Sequence, residues 1–220
     1  LHRRPASTPA VAGRRHVLTR SVHPSRGGGG YAPLVPSDEL SPEPPAAPTP
    51  SAAPAARAIV RAARTSDVRA IRALVAPQAE RRVLLNKEAV AYYESVSDFV
   101  VAEIDGAVVG CGALHVLWED LGEVRTLVVD ESALGSGVGS AVLRRLMERA
   151  RELGLSRLFC LTFETEFFRR HGFEAIEGQA VDPEVYAELL RSYDEGVAEF
   201  LDLERVKPNT LGNSRMLRKL

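Results

Sequence analysis

The apolar run Leu127–Val129 stops at Asp130, and three glycines follow at alternate positions: Gly135, Gly137 and Gly139. A strong helical pattern begins there and ends at Gly154. A strand, a glycine loop and a helix start, in that order, suit a phosphate or pyrophosphate. The first turn of a helix exposes unpaired amides and carries partial positive charge. Glycines let the backbone come close to a ligand and take up positive φ. A Walker loop is excluded, because no Gly-Lys-Ser/Thr follows. A dinucleotide fingerprint fits poorly, although Glu164 could stand in for its ribose-binding acid. That motif wants glycine or alanine where Ser140 stands, and it usually opens a βαβ unit. A purely structural glycine turn is the plain alternative.

The elements around the loop narrow the choice. Ile59–Arg64 alternates like a short strand. Ser66 and Asp67 look like helix caps, Val68, Ile71, Leu74 and Val75 keep helical spacing, and Pro77 is expected to end that helix. Residues 87–95 suit a second helix. Two strands, 98–104 and 107–117, flank Asp105-Gly106, a strong hairpin signal. A third strand covers 121–130, a helix runs from about 137 to 153, and a strand covers 156–163. EFFRRH forms a short helix stopped by Gly172. A helix over 183–191 follows, and NSRMLRKL closes the chain as a strand. Hairpins first and a strand–helix–strand crossover later predict an α+β fold with a mixed sheet, not a doubly wound parallel one.

Composition sets the outer bounds. The net charge of −1 over 220 residues gives no case for nucleic acid or a membrane surface. No apolar run reaches the roughly 20 residues that cross a bilayer. Cys111 and Cys160 sit in apolar runs and read as free buried thiols of a reducing cytosol. No His/Cys cluster has metal spacing, so no metal is expected. Eleven of the fourteen prolines lie in residues 1–57, with the Gly27–Gly30 run. This Pro/Ala/Gly-rich extension is expected to be disordered, and the folded domain to occupy 58–220. A targeting peptide is the alternative for the arginine-bearing first half, which lacks a signal-peptide core. The chain opens on Leu1, so a misassigned start is also open.

Strand, Gly-x-Gly-x-Gly, helix, strand and then FFRRHGF is the order seen in the Gcn5-related N-acetyltransferases (GNAT), and the stretch from Ile59 to Leu220 resembles them. Their pyrophosphate loop reads Arg/Gln-x-x-Gly-x-Gly/Ala. Here Leu134-Gly135-Ser136-Gly137-Val138-Gly139 keeps the glycines and lacks the leading Arg or Gln. GCGALHVL, LGEVRT, LSRLFCLTFETEFFRRHGF and the closing NSRML further resemble N-acetylglutamate synthases of arginine biosynthesis, in their short, stand-alone form without an amino-acid-kinase domain. The resemblance implies a mostly antiparallel sheet flanked by helices, acetyl-CoA as co-substrate, a small amino-acid acceptor and a cytoplasmic setting. A homo-oligomer is left open.

Acyl transfer to an amine needs a base, positioning of the amine, an oxyanion donor and a proton for the leaving thiolate. The resemblance assigns the base to Glu123. Glu123 stands four residues before Leu127, so strand alternation would put both on one face. Leu127, Val128 and Val129 would offer backbone groups to the pantetheine arm, with an oxyanion-binding amide near Leu127. Gly135, Ser136, Gly137, Val138, Gly139 and Ser140 would hold the pyrophosphate. Many family members carry a tyrosine acid where Phe168 stands, and Phe168 has no proton to give. Thr162 or water is left for that role. Lys87, Arg125, Thr126, Lys207, Asn213 and Ser214 are the candidates for the acceptor's carboxylates, although each also reads as an ordinary solvated or strand residue. Acceptors other than glutamate (glutamine, another amino acid, a polyamine, a protein N-terminus) and a non-catalytic sensor of acetyl-CoA or amino acids are the competing readings.

Overall fold

A computed structural model describes residues 58–81, 84, 87–206 and 212–220. The expected disordered extension, residues 1–57, and Lys207 lie outside the described residues.

The first strand, β1 (Ile59–Ala62), leads into α1 (Val68–Glu80) and α2 (Ala89–Glu94). An antiparallel meander follows: β2 (Phe99–Ile104), β3 (Ala107–Val116) and β4 (Leu121–Val129). Asp105 and Gly106 take φ of 50° and 80° at the β2–β3 turn, the pair of positive angles that a two-residue hairpin loop of this kind needs. The second half comprises α3 (Val138–Glu152), β5 (Arg157–Thr162), α4 (Thr165–Arg170), β6 (Glu174–Ala175), α5 (Pro183–Leu189), α6 (Glu195–Phe200) and β7 (Ser214–Lys219). The seven strands lie in the order β1-β2-β3-β4-β5-β7-β6, and among these pairs β4–β5 alone is parallel. This is the mixed α+β sheet that the element order predicts.

Side-chain alternation assigns the helices to faces. Val100, Ala102, Leu114 and Val124 pack under Val142, Leu143 and Leu146 of α3. Their neighbours Phe99, Val101, Cys111 and Ala113 meet Val68, Ile71 and Val75 of α1 and Tyr92 of α2. Burying each such aliphatic side chain stabilises the fold by about 1.5–3 kcal/mol. Leu121, Phe159, Val197 and Phe200 form a third cluster where α5 and α6 pack. Both cysteines are free and buried, and burial pushes the Cys111 thiol up to about 12.

Two expectations are corrected. Pro77 does not end α1, which continues to Glu80. Proline removes one N–H from the ladder, but it falls in the last turn, after Val68, Ile71 and Val75 have already docked the helix. Nor do Glu123 and Leu127 share a face. Thr126 has a φ of 54°, and the β3–β4 register breaks between Cys111 and Ala113 opposite it. This bulge inverts the alternation. Glu123 and Arg125 lie opposite His115 and Ala113, on the α1–α2 side, whereas Leu127 and Val129 pack on the α3 side.

Candidate active site

β4 and β5 pair only where Leu121–Glu123 meets Arg157–Phe159. Beyond that point β4 stays with β3, while β5 keeps β7 on its other edge along its whole length, Arg157–Thr162. The two parallel strands therefore part, and a cleft of about 1280 Å³ opens between them. Residues 123–129 form one wall and residues 161–164 the other. The main-chain groups that β4 would have given to β5 are left for another extended chain to pair with.

The glycine loop closes one end. Gly135 and Gly137 adopt φ of 77° and 86°, and Gly137 is the residue before the first turn of α3, with no side chain capping it. The uncapped helix start therefore stands beside the cleft, with Gly135, Gly137, Val138, Gly139 and Ser140 lining it. Gly139 serves packing instead: a Cβ there would sit 3.4 Å from Val129 and 3.5 Å from Phe167. Ser136 turns away, its N–H donating to the Ala133 carbonyl at 3.3 Å and its hydroxyl to the same oxygen at 2.5 Å.

Charged side chains line the other end. Glu123 is only 4% exposed, and its carboxylate accepts from Arg125 Nε at 2.6 Å. The same guanidinium reaches Asp194 through Nη1 at 2.9 Å, while Nη2 is buried without a hydrogen-bond partner. Burial opposes the Arg125 charge, but the Glu123 and Asp194 carboxylates outweigh it and raise its pKa. Asp194 also caps α6 by accepting from Val197 N–H at 2.9 Å. Burial pushes the Asp194 carboxyl up, yet Arg125 and that amide together hold it below the ordinary range. Gly196 lets α6 lie flat on Arg125, since a Cβ would come within 2.5 Å of the guanidinium carbon. Glu199, three residues on, lines the cleft too, and burial with the nearby Glu123 charge raises its carboxyl to about 7. Lys87, Arg125 and Thr126 border both this cleft and a smaller cavity of about 330 Å³, which His115 and Asp98 also line.

Across the cleft, Thr162 is 8% exposed, and its Oγ1 accepts from Glu164 N–H at 2.9 Å. The hydroxyl proton is therefore still available to donate. Phe168 is stacked edge-on against Phe173 at 5.1 Å and packs in the core. Arg215 of β7 lies 4.9 Å over the Phe159 ring, with Nε and Nη2 buried and unpartnered; burial lowers its pKa.

A profile of the acetyltransferase (GNAT) family matches residues 75–173. An amino-acid acetyltransferase of Mycobacterium tuberculosis is 60% identical over 164 residues, 73% of this chain and 94% of that protein. The chain belongs to the GNAT family. It is an enzyme, an N-acetyltransferase. A crystal structure of an M. tuberculosis protein in complex with CoA and NLQ superposes with a TM-score of 0.72 at 60% identity, covering 74% of this chain and 99% of that one. The N-acetylglutamate synthase of Neisseria gonorrhoeae, complexed with coenzyme A and N-acetyl-glutamate, gives 0.60 at 27% identity over 76% of this chain; this chain spans about a third, 36%, of that longer one.

Of the residues expected at the GNAT site, the cleft brings together Glu123, Arg125, Thr126, Leu127, Val128, Val129, Thr162, Lys87, Asn213 and the loop from Gly135 to Ser140, with Ser136 turned aside. Ser214 pairs with Thr162 at the β5–β7 seam and is not a lining residue. Asp194, Gly196 and Glu199 are not among the expected residues, because no element is expected between residue 191 and the closing strand. The signal of α6 is present in the sequence: Asp194 as a cap, Glu195 in the first turn, then Val197, Phe200 and Leu201 at helical spacing.

Proposed function

We propose that this chain transfers the acetyl group of acetyl-CoA to the α-amine of L-glutamate, the N-acetylglutamate synthase reaction that opens arginine biosynthesis. The observation that carries the proposal is the cleft itself: a carboxylate, Glu123, on the strand that runs from the acceptor end to the phosphate-suited loop, with Lys87 and Arg125 beside it. Acetyl-CoA supplies an acetyl group activated as a thioester. The amides at Gly137–Gly139 hold its pyrophosphate, and the freed edge of β4 from Leu127 to Val129 lines up its pantetheine arm. Glu123 holds the acceptor nitrogen and takes a proton from it. Arg125, tied to Glu123 and Asp194, fixes the direction of that carboxylate. Lys87 meets an acceptor carboxylate, and Asn213 and Lys207 are the further candidates. Thr162 is set to donate to the leaving sulfur.

A second reading, L-glutamine as acceptor, draws on the carboxylates Asp194 and Glu199. They offset the cations of this end and leave less positive charge for a second acceptor carboxylate. The non-catalytic sensor reading does not stand beside the family's enzymes. The deciding experiment is release of CoA by the full chain with each of the twenty amino acids. Glutamate should give the highest kcat/KM; a larger value for glutamine replaces the first reading with the second, and turnover only with polyamines or peptides sinks both.

A further inference from the structure

Acetyl transfer takes two protons off an acceptor that arrives as an ammonium. The nitrogen–carbon bond forms at the thioester carbonyl and the carbon–sulfur bond breaks. One proton ends on sulfur as the free thiol, and the other must leave for water, because the amide product is neutral. Glu123 borders the cleft in which the acceptor would sit but has little contact with bulk water into which a proton could pass. It is 4% exposed and closed over by Arg125.

A second carboxyl lies along the same route. Gly196 presses against the Arg125 guanidinium, and Glu199 stands three residues further along α6, on the same side of the helix. Glu199 borders the cleft that Glu123 borders and is partly exposed. Resting on the transfer reading above, we propose that Glu199 is the terminal proton acceptor: it receives the acceptor's proton from Glu123 through water in the cleft and passes it to solvent.

The charges around Glu199 fit that task. Burial raises its carboxyl to about 7, with Glu123 of β4 and Glu195 of its own helix pushing the same way and Arg125 and Lys87 pushing back. Asp194, at the head of the helix, is occupied by Arg125. Arg215 of β7 is turned onto the Phe159 and Phe200 rings. A carboxyl that titrates close to working pH both accepts and releases a proton readily, which one locked in either state does not.

The test compares the full chain with Glu199→Gln and Glu199→Asp. In the unsubstituted chain, kcat/KM for the best amino acid should rise with pH through an inflection near 7, below the titration of the acceptor's own amine. Glu199→Gln should lower kcat/KM roughly 10- to 100-fold at pH 7.5 and remove that inflection. Glu199→Asp should restore the inflection at a displaced position. Calorimetry should give the Glu199→Gln chain an unchanged acetyl-CoA affinity, which excludes misfolding. Carboxyl-carbon NMR, with the Glu199→Gln spectrum subtracted, reads the residue independently of turnover. A titration near 4.5, or an inflection that survives Glu199→Gln, overturns the role while the transfer reading stands. Absence of CoA release with every amino acid overturns the transfer reading, and the proton route falls with it.

Discussion

The two ends of the cleft are made of different material. The loop end is main chain: the edge of β4 that β5 abandons and the uncapped start of α3. The acceptor end is charged side chains from three separate places, Lys87, the Glu123–Arg125 pair and α6 with Asp194 and Glu199. A site of amides asks the sequence only for the right φ angles and close approach, so it does not depend on a side-chain donor at Leu134. A site of ion pairs depends on every partner, because removing one leaves a buried charge uncompensated.

That contrast breaks most sharply at Glu123. Glu123→Gln keeps the shape and removes the proposed proton acceptor. Turnover at neutral pH should fall by roughly 10²–10⁴, less at high pH where more of the acceptor is already neutral. The acetyl-CoA Kd should stay within about twofold, a change under half a kcal/mol. Loss of coenzyme binding in this variant would mean that the two ends are not separable.

Gly196 and Gly137 sharpen it, since one glycine is required by space and the other by angle. Gly196→Ala puts a methyl 2.5 Å from the Arg125 guanidinium carbon. Displacing Arg125 misdirects Glu123, so kcat/KM for the acceptor should drop roughly 10- to 100-fold, with coenzyme affinity retained. Overpacking should also lower stability by about 1–3 kcal/mol in a denaturant melt. At Gly137 a Cβ meets nothing within 4 Å, but φ is 86°. Gly137→Ala therefore costs about 1–2 kcal/mol of backbone energy. Charged to coenzyme binding, this weakens acetyl-CoA by about 5- to 30-fold and leaves the acceptor's KM unchanged. The reverse assignment of the two phenotypes would refute the division.

The same division governs what the sequence discloses. The loop end was legible because its cause is local: Gly135, Gly137 and Gly139 stand within five residues, directly before the α3 pattern. So was the β2–β3 hairpin, through Asp105-Gly106. The acceptor end was legible only in part. Glu123, Arg125 and Lys87 could be named, but not the way Arg125 is shared between Glu123 and Asp194, which are 71 residues apart in the chain. Nor does any local pattern announce the bulge at Thr126, a residue type with no preference for positive φ. It follows from tertiary pairing, and it places Glu123 and Leu127 on opposite faces where simple alternation puts them together.

The smallest expected effect tests the loop end alone. Leu134 is 65% exposed at the rim of the cleft, a costly place for a leucine that contributes little to packing. Leu134→Arg would place a cation beside the phosphate-suited amides. An exposed pair of charges contributes about 0.2–1 kcal/mol, so acetyl-CoA should bind only about 1.5- to 5-fold more tightly. The gain should fade between low salt and about 0.5 M salt, where screening shortens the reach of an exposed charge. Acceptor kinetics should not move. A gain of a hundredfold would mean that side chains, and not the amides at Gly137, carry most of the coenzyme's phosphate binding.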